Sequence, residues 1–455
     1  MMHHPITAAT RGVAFKRLVL CSLLLSLSSS VWSMDLLQAY EAAQQQDSTI
    51  LASRAAAVAG RERLPQARSQ LLPNVSASVS RNHNNLLSTS PNYLGQQQTT
   101  DSAYPSSNQT LTVRQPLFRT YQMAQYRQAK AQVQDSDAAL AQDEQNLAVR
   151  VSGAYFEAML THEQLALILA QRTAYSAQLD AARKIFAAGS GTRTDIDDAQ
   201  AKLDMNAAQE IEARQNVAYT LQQLEILVNQ PIDKLATLDV AKLELLPPQP
   251  SAWEDWLARA ESNSPQLQSL KAQLEVARQE VDKASSGHYP TLDAIAQWSR
   301  SDSENILNIN SSYTNKSVGL QLSIPVFSGG YVNSSVRQAL ASQERAEQLL
   351  EAGRRDLGLK VHQEYRGMTE NIPKVEALEQ ALRSADQVVL SSQKSFQAGS
   401  RTVLDVLNAQ QQRMVVLRDL AQARYMYLIS KIRLLALVGE ADAQAVTAMN
   451  RVLQP

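Results

Sequence analysis

Cysteine is all but absent: the chain has one, Cys21, in 455 residues. A disulfide scaffold is excluded, and so is a cysteine-ligated metal centre. Aromatics make up 5%, charged residues 19%, and glycine and proline number 15 each. All-β sandwiches, collagen-like chains and disordered chains need more breakers or more charge than this. Neither sign of charge dominates, since 43 basic residues face 44 acidic ones, so there is no basic field for nucleic acid. Long apolar runs are missing too. The best candidate, Leu18–Leu27, is about half of what spans a bilayer as a helix. What remains is rich in Ala, Gln and Leu, a composition suited to long helices.

The N-terminus reads as a removable export signal over residues 1–33. Arg11, Lys16 and Arg17 form a basic region, Leu18–Leu27 an apolar one and Ser28–Ser33 a small-residue one, with Val31 and Ser33 preceding a cut before Met34. Leu20 stands where a lipid-attachment cysteine is preceded by a small residue, so Cys21 is read as part of the discarded segment. The mature chain is then thiol-free and mildly acidic.

A duplication organises the rest. Arg127-Gln128-Ala129 recurs as Arg337-Gln338-Ala339, and at the same spacing Val151 and Tyr155 match Val361 and Tyr365. Phe186-Ala187-Ala188-Gly189-Ser190 matches Phe396-Gln397-Ala398-Gly399-Ser400, and Asp195 matches Asp405. The expected units are a first repeat over 34–230, a linker over 231–252, a second repeat over 253–440 and a tail over 441–455. Each repeat reads as helix, β-hairpin (about 73–118 and 290–327), very long helix (about 119–188 and 331–398) and a further helix (about 193–230 and 402–438). The first helix is expected unbroken over 34–71. Polar loops are expected over Asn82–Asn108 and Ser299–Lys316, and a kink at Pro373.

Val375, Leu378, Leu382, Ala385, Val389, Ser392 and Phe396 step through heptad positions, as do Met414, Leu417, Ala421, Tyr425, Leu428, Ile432 and Leu435. Sustained heptads imply knobs-into-holes packing between helices rather than one globular core. A helix from Thr120 to Ala188 would run about 100 Å at ~1.5 Å per residue. The strands alternate with period two, which suits either edge hairpins of a soluble domain or membrane strands of about 9–11 residues. Four strands cannot close a barrel, so the membrane alternative requires several subunits. The histidines His83, His162, His288 and His362 are scattered, with no second ligand at metal spacing. No phosphate loop or nucleophile elbow is present. No cofactor, no metal and no enzymatic activity are expected.

The two helix turns, Phe186-Ala-Ala-Gly-Ser-Gly-Thr-Arg-Thr-Asp195 and Phe396-Gln-Ala-Gly-Ser-Arg-Thr-Val-Leu-Asp405-Val-Leu-Asn408-Ala-Gln, together with Leu72-Pro73-Asn74-Val75 and Ser323-Ile324-Pro325-Val326-Phe327-Ser328-Gly329-Gly330, resemble the TolC family of outer-membrane efflux and type I secretion channels. The resemblance covers essentially the whole mature chain. It implies a mainly α fold with membrane strands: a homotrimer whose α-helical periplasmic barrel is topped by a 12-stranded outer-membrane β-barrel in lipid, with the 231–252 linker and the tail at mid-tunnel. It also implies a passive duct opened at its periplasmic tip by a periplasmic adaptor and an inner-membrane ABC or RND-type transporter. The competing reading is a periplasmic coiled-coil adaptor or scaffold without a pore; a secreted enzyme has only the export signal in its favour.

Gly189 and Gly399 sit where a left-handed residue ends a helix. Thr192-Arg-Thr-Asp195 and Thr402-Val-Leu-Asp405 read as capping boxes opening the next one. By resemblance, Asp405 and Asn408 line the periplasmic constriction, and Arg401 bonds a neighbouring tip at Thr194 and Asp195. Gly189, Ser190, Gly191, Thr192, Gly399, Ser400 and Thr402 would meet the adaptor. Phe396 stands where a tyrosine often bonds the aspartate, and Asn408 replaces a second ring aspartate. Asp198, at the first repeat's equivalent position, restores part of that charge. The latch is therefore expected to be weaker than the family pattern.

Overall fold

The computed structural model describes residues 33–304 and 311–454; the export signal therefore lies almost wholly outside the described residues. In chain order the first repeat comprises α1 (Leu36–Gln46), α2 (Ser48–Arg61), α3 (Arg63–Ser69), β1 (Asn74–Pro91), β2 (Gln97–Phe118), α4 (Thr120–Ala187) and α5 (Arg193–Val228). A short strand β3 (Thr237–Leu238) lies in the linker. The second repeat comprises α6 (Trp253–Asn263), α7 (Pro265–Ser285), β4 (Thr291–Ser303), β5 (Ser311–Ser323), α8 (Tyr331–Gln397) and α9 (Val403–Leu437). Helix α10 (Ala443–Asn450) and strand β6 (Leu453–Gln454) close the described chain.

The first helix is not unbroken. Asp47 adopts an extended backbone between α1 and α2 and accepts from the amides of Thr49 and Ile50. Its carboxylate is buried and meets Arg150 of α4 at 2.9 Å. Apolar spacing runs through this corner, so periodicity misses it; the buried cap makes it. The second repeat breaks at the corresponding place, Ser264, which is non-helical, with Pro265 opening α7, a position where its missing N–H costs nothing.

Strands β1, β2, β4 and β5 form one antiparallel sheet in that order. Its register aligns Val75 with Val113, Val113 with Ala296 and Ala296 with Val318, while Ser76, Thr112, Gln297 and Ser317 form the next row. Successive side chains point to opposite faces, so one face is largely apolar near the foot of the sheet, giving way to Gln109, Arg300 and Lys316 farther along, and the other is mostly polar. Val75, Val79, Val318, Leu320 and Leu322 are all exposed on the apolar face. That pattern belongs to a sheet with lipid on one side and water on the other. The expected polar loops are corrected: β1 and β2 stay paired up to Pro91 and Gln97, and Pro105 pairs with His83 inside the ladder. Beyond Ser106, β2 pairs with β1 alone, as a ribbon past the end of β4. At the other end β5 stops at Ser323 rather than continuing to Val326.

Helices α4 and α8 run 68 and 67 residues, about 100 Å each. Helix α8 continues through Pro373 without a break, so the interruption expected there is at most a local distortion within one helix. The main core lies midway along these helices. Tyr155, Phe156, Tyr425 and Tyr427 are buried there with Leu36, Trp256, Ile432 and Met449. The aromatic hydroxyls are placed, not merely buried: Tyr155 donates to the Met34 carbonyl at 2.8 Å, and Tyr427 to that of Leu246 at 2.7 Å. Trp256 donates to the Pro250 carbonyl, and β3 pairs with β6. Linker and tail are thereby tied to the waist of the helical layer. Among the described residues no helix is long and apolar enough to cross a membrane.

Candidate functional site

At the far end from the sheet, α4 turns into α5 and α8 into α9 through two closely matching corners. In the first, Gly189 has φ +81°, its amide donates to the Phe186 carbonyl at 2.9 Å, and the Ser190 amide donates to Ile185 at 3.2 Å. In the second, Gly399 has φ +75°, with Gly399 donating to Phe396 and Ser400 to Ser395, both at 2.9 Å. This paired closure satisfies the last carbonyls of each helix and needs a left-handed residue. Replacing Gly399 by Ala puts a Cβ into that conformation, costing about 1 kcal/mol. Amide exchange at Gly399 and Ser400 should then quicken about fivefold, and unchanged exchange would refute the cap.

The next helices open with full capping boxes. The Thr192 hydroxyl caps the Asp195 amide, and Asp195 Oδ2 accepts from the Thr192 amide at 3.1 Å and its hydroxyl at 2.6 Å. Thr402 and Asp405 repeat this at 2.9 and 2.8 Å. The amide and hydroxyl of Thr402 hold the Asp405 carboxyl below the usual carboxylate range. Asp405 is thus both cap and, at neutral pH, a negative charge.

The two corners pack side by side. Ala199 of α5, Val403 and Leu407 of α9 and Tyr175, Leu179 and Ala182 of α4 form one apolar cluster, against which Ile196, Leu203 and Phe396 pack. Phe396 therefore spends its ring on this seam, consistent with its lack of a hydroxyl. Lys202 of α5 donates to Gln411 of α9 at 2.7 Å. Above the seam, Arg401, Asp405 and Asn408 are exposed, as are Thr194, Gly189, Ser190, Thr192, Gly399, Ser400 and Thr402, while Asp195, Asp198 and Gly191 are half-buried. Asp405 and Asn408 lie three residues apart and share a face of α9; Asp195 and Asp198 do the same on α5.

Within the protomer Arg401 takes a partner that periodicity did not indicate. Its Nη1 donates to Ser392 Oγ of α8 at 2.8 Å, and no bond from Arg401 to Thr194 or Asp195 of its own chain occurs among the described residues. The heptad spacing gives Ser392 no role beyond packing. One sequence signal marks it: the first repeat carries Ala182 and Gly191 where the second carries Ser392 and Arg401, so the two positions change together. Among the described residues no cluster of His, Cys, Asp or Glu could hold a metal ion.

Comparison with known proteins agrees with this architecture. The family model described as "Outer membrane efflux protein" matches residues 39–230 and 256–440. The alkaline protease secretion protein AprF of Pseudomonas aeruginosa is 34% identical over 93% of this chain and 89% of its own. The outer membrane protein TolC of Vibrio cholerae is 28% identical over 94% of this chain and 96% of its own. Among solved structures, the outer membrane protein VceC of Vibrio cholerae superposes with a TM-score of 0.76 at 17% identity, covering 89% of this chain and 96% of that one. The last is a likeness of fold.

Proposed function

The chain belongs to the outer membrane efflux protein family, and from that membership we propose that it is the outer-membrane duct of a three-part export system, assembled as a homotrimer and gated at its helix tips. One observation carries the trimer. The four-stranded sheet leaves β1 and β5 unpaired at its edges, and both merge directly into helical layers about 100 Å deep. An open edge in lipid leaves backbone groups unsatisfied, so the sheet must close on other copies. Three copies give twelve strands, which leave room for a water-filled lumen.

The apolar sheet face then meets outer-membrane lipid, and the polar face lines the pore. The helices extend the lumen inward to the paired tips, where three-fold symmetry turns each Asp405 into a ring with Asn408 beside it. Rings of carboxylate favour cations at a constriction. Arg401, reaching to Thr194 and Asp195 of an adjoining tip, latches the mouth. A periplasmic adaptor meeting the turns around Gly189 to Thr192 and Gly399 to Thr402, together with an inner-membrane pump, shifts the tips apart as rigid hairpins. The secretion function in the name of its Pseudomonas relative favours protein cargo.

The pore-free scaffold is the reading to defeat. Purified protein in planar bilayers should give a small cation-preferring conductance, and Arg401→Ala should raise it about threefold, as loss of one latch bond per copy shifts the tips toward open. Absence of conductance even in that variant would sink the duct.

A further inference from the structure

Ser392 lies one turn before the end of α8, on the buried side of the tip, and is fully excluded from solvent. Its hydroxyl receives the Arg401 guanidinium at 2.8 Å across the turn. An arginine at a helix corner has many rotamers, and holding it in one costs rotamer entropy when it must reach a partner. Here that ordering is already done inside the hairpin. The bond uses one of five guanidinium N–H donors, so the others remain free to engage a carboxylate on an adjoining tip.

The duplication supplies an internal control. The corresponding corner in the first repeat has Ala182, also buried, in place of Ser392, and Gly191 in place of Arg401. The hydroxyl occurs only where there is a guanidinium to seat. The first repeat packs Tyr175 and Leu179 where the second has Ala385 and Val389, and it builds its corner with Ala182 and no hydroxyl.

We propose that Ser392 is a positioning residue of the gate: it holds the Arg401 guanidinium in the orientation from which it latches the adjoining tip. The inference rests on the reading of Arg401 as a latch. Ala is the residue the first repeat already tolerates, so Ser392→Ala is the variant to measure. In planar bilayers it should raise the open fraction about threefold, approaching Arg401→Ala. The double variant should equal Arg401→Ala alone, because one residue acts through the other. The melting midpoint of the assembled protein, which a merely structural serine would lower, should stay at that of the unmodified chain.

If Arg401→Ala opens the pore while Ser392→Ala does not, the positioning role is overturned and the latch survives. Effects of the two variants that add, or a closed-shifted Ser392→Ala channel, overturn it equally. If neither variant changes conductance, the latch itself is wrong and the inference falls with it.

Discussion

Asp293→Ala should reduce assembled, membrane-inserted protein about tenfold or more while the chain is still synthesised and exported. Asp293 is the third residue of β4, where the sheet meets the helices, and is nearly inaccessible. Arg119, which immediately precedes α4, donates to it through Nε at 2.8 Å and also through Nη2. Arg114 of β2 lies 3.2 Å away. One carboxylate thus fastens β2, β4 and the start of α4 at a junction where the sheet passes into the helices.

Removing it leaves Arg119, largely covered, without its counter-charge. Breaking a buried pair in this way costs about 3 kcal/mol. The loss recurs in every copy, and a ring assembles only if every junction holds. A control separates this from loss of any ion pair. Asp302, farther along β4, meets Arg300 at 3.2 Å with both side chains well exposed; Asp302→Ala should leave assembly within about 0.5 kcal/mol of normal. Quantifying trimer in outer-membrane fractions by unheated gel electrophoresis decides it. Equal trimer in the two variants would show that the junction does not depend on Asp293.

The tips were legible in the sequence because their rules are local. A left-handed glycine, a Thr-x-x-Asp box and a heptad each act within one or two turns, and Gly399, Thr402 and Asp405 do what their spacing says. The apolar face of β5 was legible for the same reason, since Val318, Leu320 and Leu322 alternate. The far halves of β1 and β2 were not. Both their faces carry mostly polar side chains, so Asn82 to Asn108 show no apolar alternation, and the ladder bonds that hold them leave no mark on side-chain chemistry. Asp47, Asp293 and Ser392 share a different obstacle. Each is defined by a partner on another element (Arg150, Arg119 and Arg401), which spacing within one helix or strand cannot show. Only the comparison between repeats exposes one of them.

Asp405→Asn should lower cation conductance about tenfold and weaken the preference for cations, with the fold intact. The substitution separates two duties of this side chain. An amide oxygen can still accept from the Thr402 amide and hydroxyl, so the start of α9 keeps its cap. In the proposed homotrimer the charge is lost in all three copies. Three carboxylates ringing the proposed constriction would raise the local concentration of a cation about tenfold or more even at the dielectric of water. Asn408 contributes no charge to compensate, and Asp198 lies on the other hairpin.

The pH dependence has a definite sign. Hydrogen bonds from Thr402 depress the Asp405 carboxyl below its ordinary value, so the folded protein holds it ionised to lower pH than the unfolded chain would. Its capping contribution is complete above the ordinary carboxylate range and fades as pH falls through the depressed value. Cation conductance of the unmodified channel should therefore stay level from neutral pH down to the ordinary carboxylate range and drop only below it. Asp405→Asn should show no such drop. A variant that keeps full conductance and full cation preference would place the constriction elsewhere than at Asp405.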